Sequence, residues 1–445
     1  MDARTSTITG KHRSKIGALQ TPSAETIAYA ETLNLHELGP GDLAVSEWKA
    51  AGLELPDLTA IRHYRLGKVR EYLRKFDYAG IVLFDPLNVR YATDSTNMQL
   101  WVTHNAARYV YVPTEGPVIM FDYHDTKFLN NHSEVIDEVR TATSWFYFSA
   151  GNRYQEMAER WAAEIADLVK QHGGGNTRLA LDRCNPEGLE ALQSHGISVH
   201  NGEELMELAR RIKSDEEIKS MRCAIHACEQ SMEVMRQHMV PGVTEQRLWS
   251  YLHAENIARG GEWIETRLMA SGQRCNPWFQ ECSSKVIQAG ELVAFDTDLI
   301  GTYGICVDIS RTWLCGGGKP SAEQQEIYDM ALEQIQRNMA WLKPGLTFKE
   351  LTFDSFQYDP NEFRHYSCLY HGVGLCDEYP CIYFPHAWDG AGYDDVLEPG
   401  MVICVESYHG RRSGGPGVKL EEQVLITETG HELLSSYPIN DILTN

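Results

Sequence analysis

Leu292-Val293-Ala294-Phe295-Asp296-Thr297-Asp298 opens as an apolar, strand-like run after the turn pair Ala289-Gly290 and closes on two acids. In an extended strand residues two apart share a face, so Asp296 and Asp298 are expected to point the same way. Gly301-Thr302-Tyr303-Gly304 then reads as a hairpin turn that carries Asp308 back on the neighbouring strand, beside the first two acids. Both arms of the hairpin can therefore address one spot.

Working outward, two more apolar strands each carry a carboxylate. Pro399-Gly400 starts Met401-Val402-Ile403-Cys404-Val405-Glu406, and Val418-Lys419-Leu420-Glu421 starts a strand that continues through Val424-Leu425-Ile426. A charge in such a run is costly to bury unless it is paired or bound to metal. With His371 in a glycine-rich context, the set becomes five carboxylates and one imidazole: Asp296, Asp298, Asp308, His371, Glu406 and Glu421. Hard oxygen donors with a single histidine suit two divalent cations bridged by carboxylates. Metal chemistry is the expectation.

The 445 residues exceed one compact core and predict two domains, and 43% hydrophobic content is ordinary for a globular protein. A net charge of −22 argues against nucleic acid or an anionic membrane as partner. No apolar run is long enough to span a bilayer, and Met1-Asp2-Ala3-Arg4-Thr5-Ser6-Thr7 lacks a signal-peptide core, so a cytoplasmic location is expected. The 11 cysteines all lie at or beyond Cys184, are odd in number and form no Cys-x-x-Cys pair, which predicts reduced, mostly buried thiols.

Residues 1–57 read as a polar extension with short helical patches, such as Ala24 to Leu33, that covers a neighbour rather than folding alone. Residues 58–202 alternate helical and strand patterns: a helix through Ile61, Leu66, Val69 and Leu73, strands at 80–84, 109–112, 118–121 and 179–181, and a helix at 154–172 stopped by Gly173-Gly174-Gly175. Residues 203–445 begin with a strongly helical stretch in which Ser214 and Glu217 form a capping-box pair. There, Val240-Pro241-Gly242-Val243-Thr244 is echoed by Lys343-Pro344-Gly345-Leu346-Thr347. Two copies of helix, Pro-Gly turn and threonine cap suggest a pseudo-symmetric α+β domain with its site between the halves.

The order of hairpin, His-Gly-Val-Gly-Leu (371–375), Gly-Met-Val-Ile-Cys-Val-Glu (400–406) and Gly-Val-Lys-Leu-Glu-Glu-Gln-Val-Leu (417–425) resembles the creatinase, prolidase and methionine aminopeptidase superfamily. The resemblance runs from about Asp77 to the C-terminus. It implies a C-terminal "pita-bread" metal-binding domain with pseudo-twofold symmetry, preceded by a smaller α/β creatinase-like domain. The superfamily's metal ligands would fall on the aspartate hairpin, His371, Glu406 and Glu421. Three departures stand out. Thr297 holds the first aspartate's usual position, flanked by Asp296 and Asp298; Cys376-Asp377-Glu378 replaces a catalytic His-Glu pair; and Cys275-Asn276-Pro277-Trp278-Phe279 stands where another substrate-facing histidine is usual.

These substitutions resemble the DddP-type dimethylsulfoniopropionate lyases, a branch of the superfamily that forms dimethyl sulfide and acrylate without adding water. β-Elimination needs a base, an electrophile for the charge that develops at the carboxylate, and a pocket for the sulfonium. The resemblance implies two divalent ions per subunit, iron foremost with other divalent ions compatible, a small sulfonium carboxylate as substrate, and a homodimer. Asp377 is the expected base, with Glu378 as fallback, and Tyr366 the expected substrate contact and orienter. Tyr370, in the aromatic segment around His371, and Trp278, which with Trp313 brackets the hairpin, are further expected substrate contacts, since aromatic faces attract compact cations. The alternative is a metallohydrolase of the prolidase or creatinase type acting on Xaa-Pro peptides or another small carboxylate. A metal-free binding protein on the same scaffold is the third reading.

Overall fold

The computed structural model describes residues 38–439; the helical patch expected at Ala24 to Leu33 lies outside them. Residues 38–57 carry one helix, Asp42–Ala50, whose Ala44 and Trp48 are buried against Cys223 and Ala227 of the long helix Asp215–Gln237.

The first sheet has six strands: β1 (Gly80–Leu83), β2 (Tyr109–Pro113), β3 (Ile119–Asp122), β4 (Glu138–Thr141), β5 (Arg178–Leu181) and β6 (Ser198–Asn201), in the order β4-β3-β2-β1-β5-β6. β1 runs parallel to β5 and antiparallel to β2, giving a mixed sheet. The helices Leu58–Lys75 and Tyr154–His172 supply apolar residues to clusters on its two sides, including Val69 and Leu73 on one and Trp161 and Ile165 on the other.

The remaining strands are β7 (Trp263–Ile264), β8 (Met269–Ser271), β9 (Leu292–Asp296), β10 (Leu299–Ile300), β11 (Cys306–Val307), β12 (Ser310–Leu314), β13 (Phe363–Arg364), β14 (Tyr370–Val373), β15 (Asp377–Ile382), β16 (Val402–Arg411), β17 (Gly417–Ile426) and β18 (His431–Leu433). They form the sheets β12-β9-β8, β11-β10-β7 and β15-β14-β16-β17-β18, with β13 on β16. This is the mixed α+β architecture implied by the motifs, with antiparallel sheets and helices packed against them.

The internal echo is structural. Thr244 caps Glu245–Ala258 by accepting from Arg247 N–H, and Thr347 caps Phe348–Asp354 through a full capping box with Glu350. The preceding glycines, Gly242 and Gly345, take the left-handed conformation at φ 100° and 86°, which glycine adopts without a Cβ penalty. Each threonine also makes an isolated antiparallel bridge, to Val286 and to Val396. The predicted box at Ser214 is present as well, and its Glu217 reaches further to accept from Arg65 Nε at 2.7 Å in a buried ion pair.

Candidate metal centre

Strand register and a backbone kink between β9 and β10 bring the six candidate ligands together. Glu406 and Glu421 lie directly opposite one another on β16 and β17, and His371 on β14 pairs with Cys404, two residues before Glu406. β9 and β12 pair Asp296 with Ser310, next but one to Asp308. Asp298 is not a continuation of β9. The strand ends at Asp296, and Asp298 turns with φ 34° before β10 begins, so both acids reach the centre through a kink rather than through strand alternation. Thr297 between them is fully buried; its hydroxyl donates to Val307 O at 2.7 Å and accepts from Ile309 N at 2.9 Å, pinning the two arms of the hairpin.

His371 Nε2 lies 3.3 Å from Glu406 Oε1, 3.5 Å from Glu421 Oε1 and 3.6 Å from Asp308 Oδ2. Donor atoms of Asp308, His371, Cys404 and Glu421 fall within 4.8 Å of one another, as do those of Asp296, Asp298 and Asp308, so Asp308 belongs to two adjoining groups. All six candidate ligands are buried. Asp308 Oδ1, Glu406 Oε1 and Glu421 Oε1 have no hydrogen-bond partner among the described residues. Burial, reinforced by the neighbouring carboxylates, pushes Asp298 and Asp308 well above the ordinary aspartate range and Glu406 to about 7. Buried carboxylate oxygens without a hydrogen bond, gathered around one imidazole, are the donor set that divalent cations satisfy, and these residues fit such ions.

One cation is supplied by the chain itself. Lys419, fully buried, places Nζ 2.6 Å from Glu406, 2.9 Å from Glu421 and 3.1 Å from Asp296, and donates to Ser310 Oγ at 2.7 Å. The same ammonium lies 4.4 Å from the centre of the Tyr366 ring.

Beside this cluster opens a cleft of about 580 Å³ lined by residues of both sheet systems, among them Asp85, Asp182, Glu265, Asp298, Tyr366 and Asp377. Asp377 opens β15 and is exposed to the cleft, with Oδ1 3.7 Å from His371 Nδ1. Desolvation raises its pKa, and the His371 charge opposes that rise. The bulge between β14 and β15 at His371/Gly372 sets this placement. Gly372 permits it: a Cβ there would stand 2.4 Å from Tyr379 O.

Against known proteins, residues 219–428 match the model of metallopeptidase family M24 and residues 65–222 that of the creatinase/prolidase N-terminal domain. The dimethylsulfoniopropionate lyase DddP of Roseovarius nubinhibens is 48% identical over 416 residues, covering 92% of this chain and 93% of the relative. Its counterpart in Roseobacter denitrificans is 46% identical with the same coverage. The chain belongs to the DddP branch of metallopeptidase family M24. Among solved structures, the Xaa-Pro dipeptidase from Bacillus anthracis aligns with a TM-score of 0.68 at 25% identity, over 85% of this chain and 99% of that one.

Within this M24 site, the expected substrate residues divide. Tyr366 lines the cleft and stacks on Phe279 at 5.2 Å. Tyr370 does not. It neighbours His371 on a strand and so faces the opposite side, fully buried, with its hydroxyl 2.6 Å from that of Ser355. Trp278 is also core, stacked on Tyr408 at 6.0 Å. Of the aromatic residues expected around the substrate, Tyr366 is the one that lines this cleft among the described residues. Glu378, the fallback base, points away from the cleft into a buried ion pair with Lys213 and Arg210, the latter at 3.1 Å. Two close residues were missed by sequence reasoning: Cys404, on the same strand face as Glu406, and Lys419, on the same face as Glu421. The two-residue spacing within each strand was the available signal.

Proposed function

We propose that this chain is a metal-dependent lyase that cleaves dimethylsulfoniopropionate to dimethyl sulfide and acrylate by β-elimination. The observation that carries this reading is Asp377: a carboxylate exposed to the cleft, next to His371, at the position where the M24 peptidases carry a histidine. The 48% identity to a relative named for this activity supports it.

Asp296, Asp298, Asp308, His371, Glu406 and Glu421 would hold two divalent ions, with iron as our proposed metal. Those ions would act as Lewis acids on the substrate carboxylate, lowering the cost of the negative charge that builds there during proton loss. Asp377 takes the proton from the carbon beside the carboxylate. The electron pair of that C–H bond forms the new C=C bond, the C–S bond breaks, and dimethyl sulfide leaves with the sulfur electron pair while acrylate remains. A base whose pKa is raised toward the working pH is the stronger acceptor, and the direction of the Asp377 shift serves that role. Being open to the cleft, Asp377 can return the proton to solvent. Tyr366, held between Phe279 and Lys419, fixes one wall and orients the substrate. The working form is proposed as a cytoplasmic homodimer.

Headspace gas chromatography for dimethyl sulfide, with acrylate quantified in parallel, tests the reading on iron-loaded protein. The two products are expected in equal amounts. Metal-replete, folded protein that releases neither, yet frees proline from Xaa-Pro dipeptides, would replace the lyase with a hydrolase.

A further inference from the structure

A sulfonium needs a counterpart in the cleft, and the aromatic answer is largely spent. Tyr366 is the aromatic lining residue among those described, and its ring already faces the Lys419 ammonium at 4.4 Å. The acidic residues of the cleft can be separated by what they already bind. Asp182 accepts from Phe84 N, Asp85 N and Asn88 Nδ2. Asp85 pairs with Arg183 and caps a helix through Leu87 N, and Glu207 pairs with Arg210 and accepts from Tyr379 N. Asp298 and Asp377 belong to the metal centre and its base.

Two lining acids remain, Glu203 and Glu265, neither with an ion pair or a side-chain hydrogen bond among the described residues, and of the two Glu265 is the one tied to a candidate metal ligand. Its carboxylate has no ion pair and no hydrogen bond among the described residues, yet its side chain is open to the same cleft as Asp298 and Asp377. Its backbone is fixed: Glu265 N–H donates to Asp298 O at 2.9 Å, and the next residue, Thr266, donates through its hydroxyl to Asp298 Oδ2 at 2.7 Å. The segment therefore braces a candidate metal ligand with its backbone and presents an unspent anion beside it. The nearby cations, Arg183 and Arg210, are both engaged by acids and do not neutralise it.

We propose that Glu265 is the anionic subsite that receives the onium group of the substrate while the carboxylate end lies at the metal centre. This rests on the onium-carboxylate reading above, and it makes Glu265 a specificity-determining residue for compact cations bearing methyl groups. Carboxylate recognition of this kind favours sulfonium and quaternary ammonium alike, because neither carries a hydrogen-bond donor and both interact by charge.

The test is calorimetric binding to metal-loaded protein of a matched pair: 3-(trimethylammonio)propanoate, and 4,4-dimethylpentanoate, which has the same shape without the cation. Wild type is expected to favour the onium ligand at least tenfold, and Glu265→Gln to reduce that preference to threefold or less while binding 4,4-dimethylpentanoate as before. An unchanged preference in Glu265→Gln overturns the inference. Equal weakening of both ligands also overturns it, since that would assign Glu265 a bracing role through Asp298. The dimethyl sulfide assay on wild type decides the lyase reading separately, so a sound reading with a wrong subsite would show as normal gas release and an unaltered ligand preference.

Discussion

Replacing Lys419 with methionine should destabilise the metal-stripped protein far more than the metal-loaded one. The ammonium is buried at 2.6–3.1 Å from three carboxylates. At an effective dielectric of about 20, unit charges about 3 Å apart attract by about 5–6 kcal/mol. Three such contacts exceed the several kcal/mol that burying the ammonium costs, so its loss leaves uncompensated buried acids, a change that costs about 3–5 kcal/mol. At about 2–4 °C per kcal/mol, that is a fall of roughly 6–20 °C in melting temperature. Divalent ions bound by the same carboxylates would supply the missing positive charge, so the loss in loaded protein should be less than half as large. Differential scanning calorimetry of wild type, Lys419→Met and Lys419→Arg, each stripped and loaded, reads this directly, with the arginine variant expected close to wild type. Stripped Lys419→Met melting within about 2 °C of stripped wild type, or an equal loss in both forms, would refute the reasoning.

Asp377→Asn should lower kcat by about a hundred- to ten-thousand-fold, or about 3–5 kcal/mol of barrier, while metal content and melting temperature hold; near-normal dimethyl sulfide release would remove Asp377 as the base. His371→Ala should lose bound metal by elemental analysis, because the imidazole is the one nitrogen among the six candidate ligands; full retention would misplace the centre. Glu378→Gln should cost about 3–5 kcal/mol in urea unfolding by breaking the buried pairs with Arg210 and Lys213, yet keep its metal. Lost metal with unchanged stability would make Glu378 a residue of the centre rather than of the buried ion pair. His409 is buried, donates toward Gln334 and has its pKa pushed down to about 3 by burial. Its folded pKa lies below the unfolded value, so stability is complete above about pH 6.5 and falls by about 1.4 kcal/mol per pH unit as pH drops toward 3. Urea unfolding across that window should show this slope shrinking in His409→Gln, and parallel curves would exclude the histidine as its source.

Much of the candidate centre was legible because its candidate ligands sit where strands are otherwise apolar. Glu406 follows the buried run Met401 to Val405, and Glu421 lies on a buried strand between Val418 and Val424, and such carboxylates need a partner. The helix caps were equally plain, since Thr347 and Glu350 satisfy each other's backbone donors locally. What stayed open was phase. Choosing between Asp377 and Glu378 requires knowing which face of β15 meets the cleft, and that face is set by a bulge opposite His371/Gly372 that leaves no composition signal. Tyr370 could have been excluded by the same alternation, since a strand neighbour of His371 must face away from it. The aromatic density of residues 366–388 proved to be mostly packing, as with Tyr379 and Phe348, whose rings lie 5.8 Å apart.

The displaced aspartate pair shows how a local change can reshape a centre without disturbing the fold around it. With Thr297 at the usual ligand position, one hydroxyl both donates to Val307 O and accepts from Ile309 N, ties a carboxylate could not reproduce because it has no proton to donate when ionised. The hairpin is thereby locked by the residue at that position, and the candidate ligands stand on either side of it. Asp296 stays at the strand end against Ser310, while Asp298 reaches inward through its left-handed turn and is held by Thr266. That hold reaches Glu265, one residue before Thr266, whose N–H bonds to Asp298 O. Moving the aspartate by one residue thus links the cleft wall to the metal centre, so a substitution at Thr297 should disturb both together.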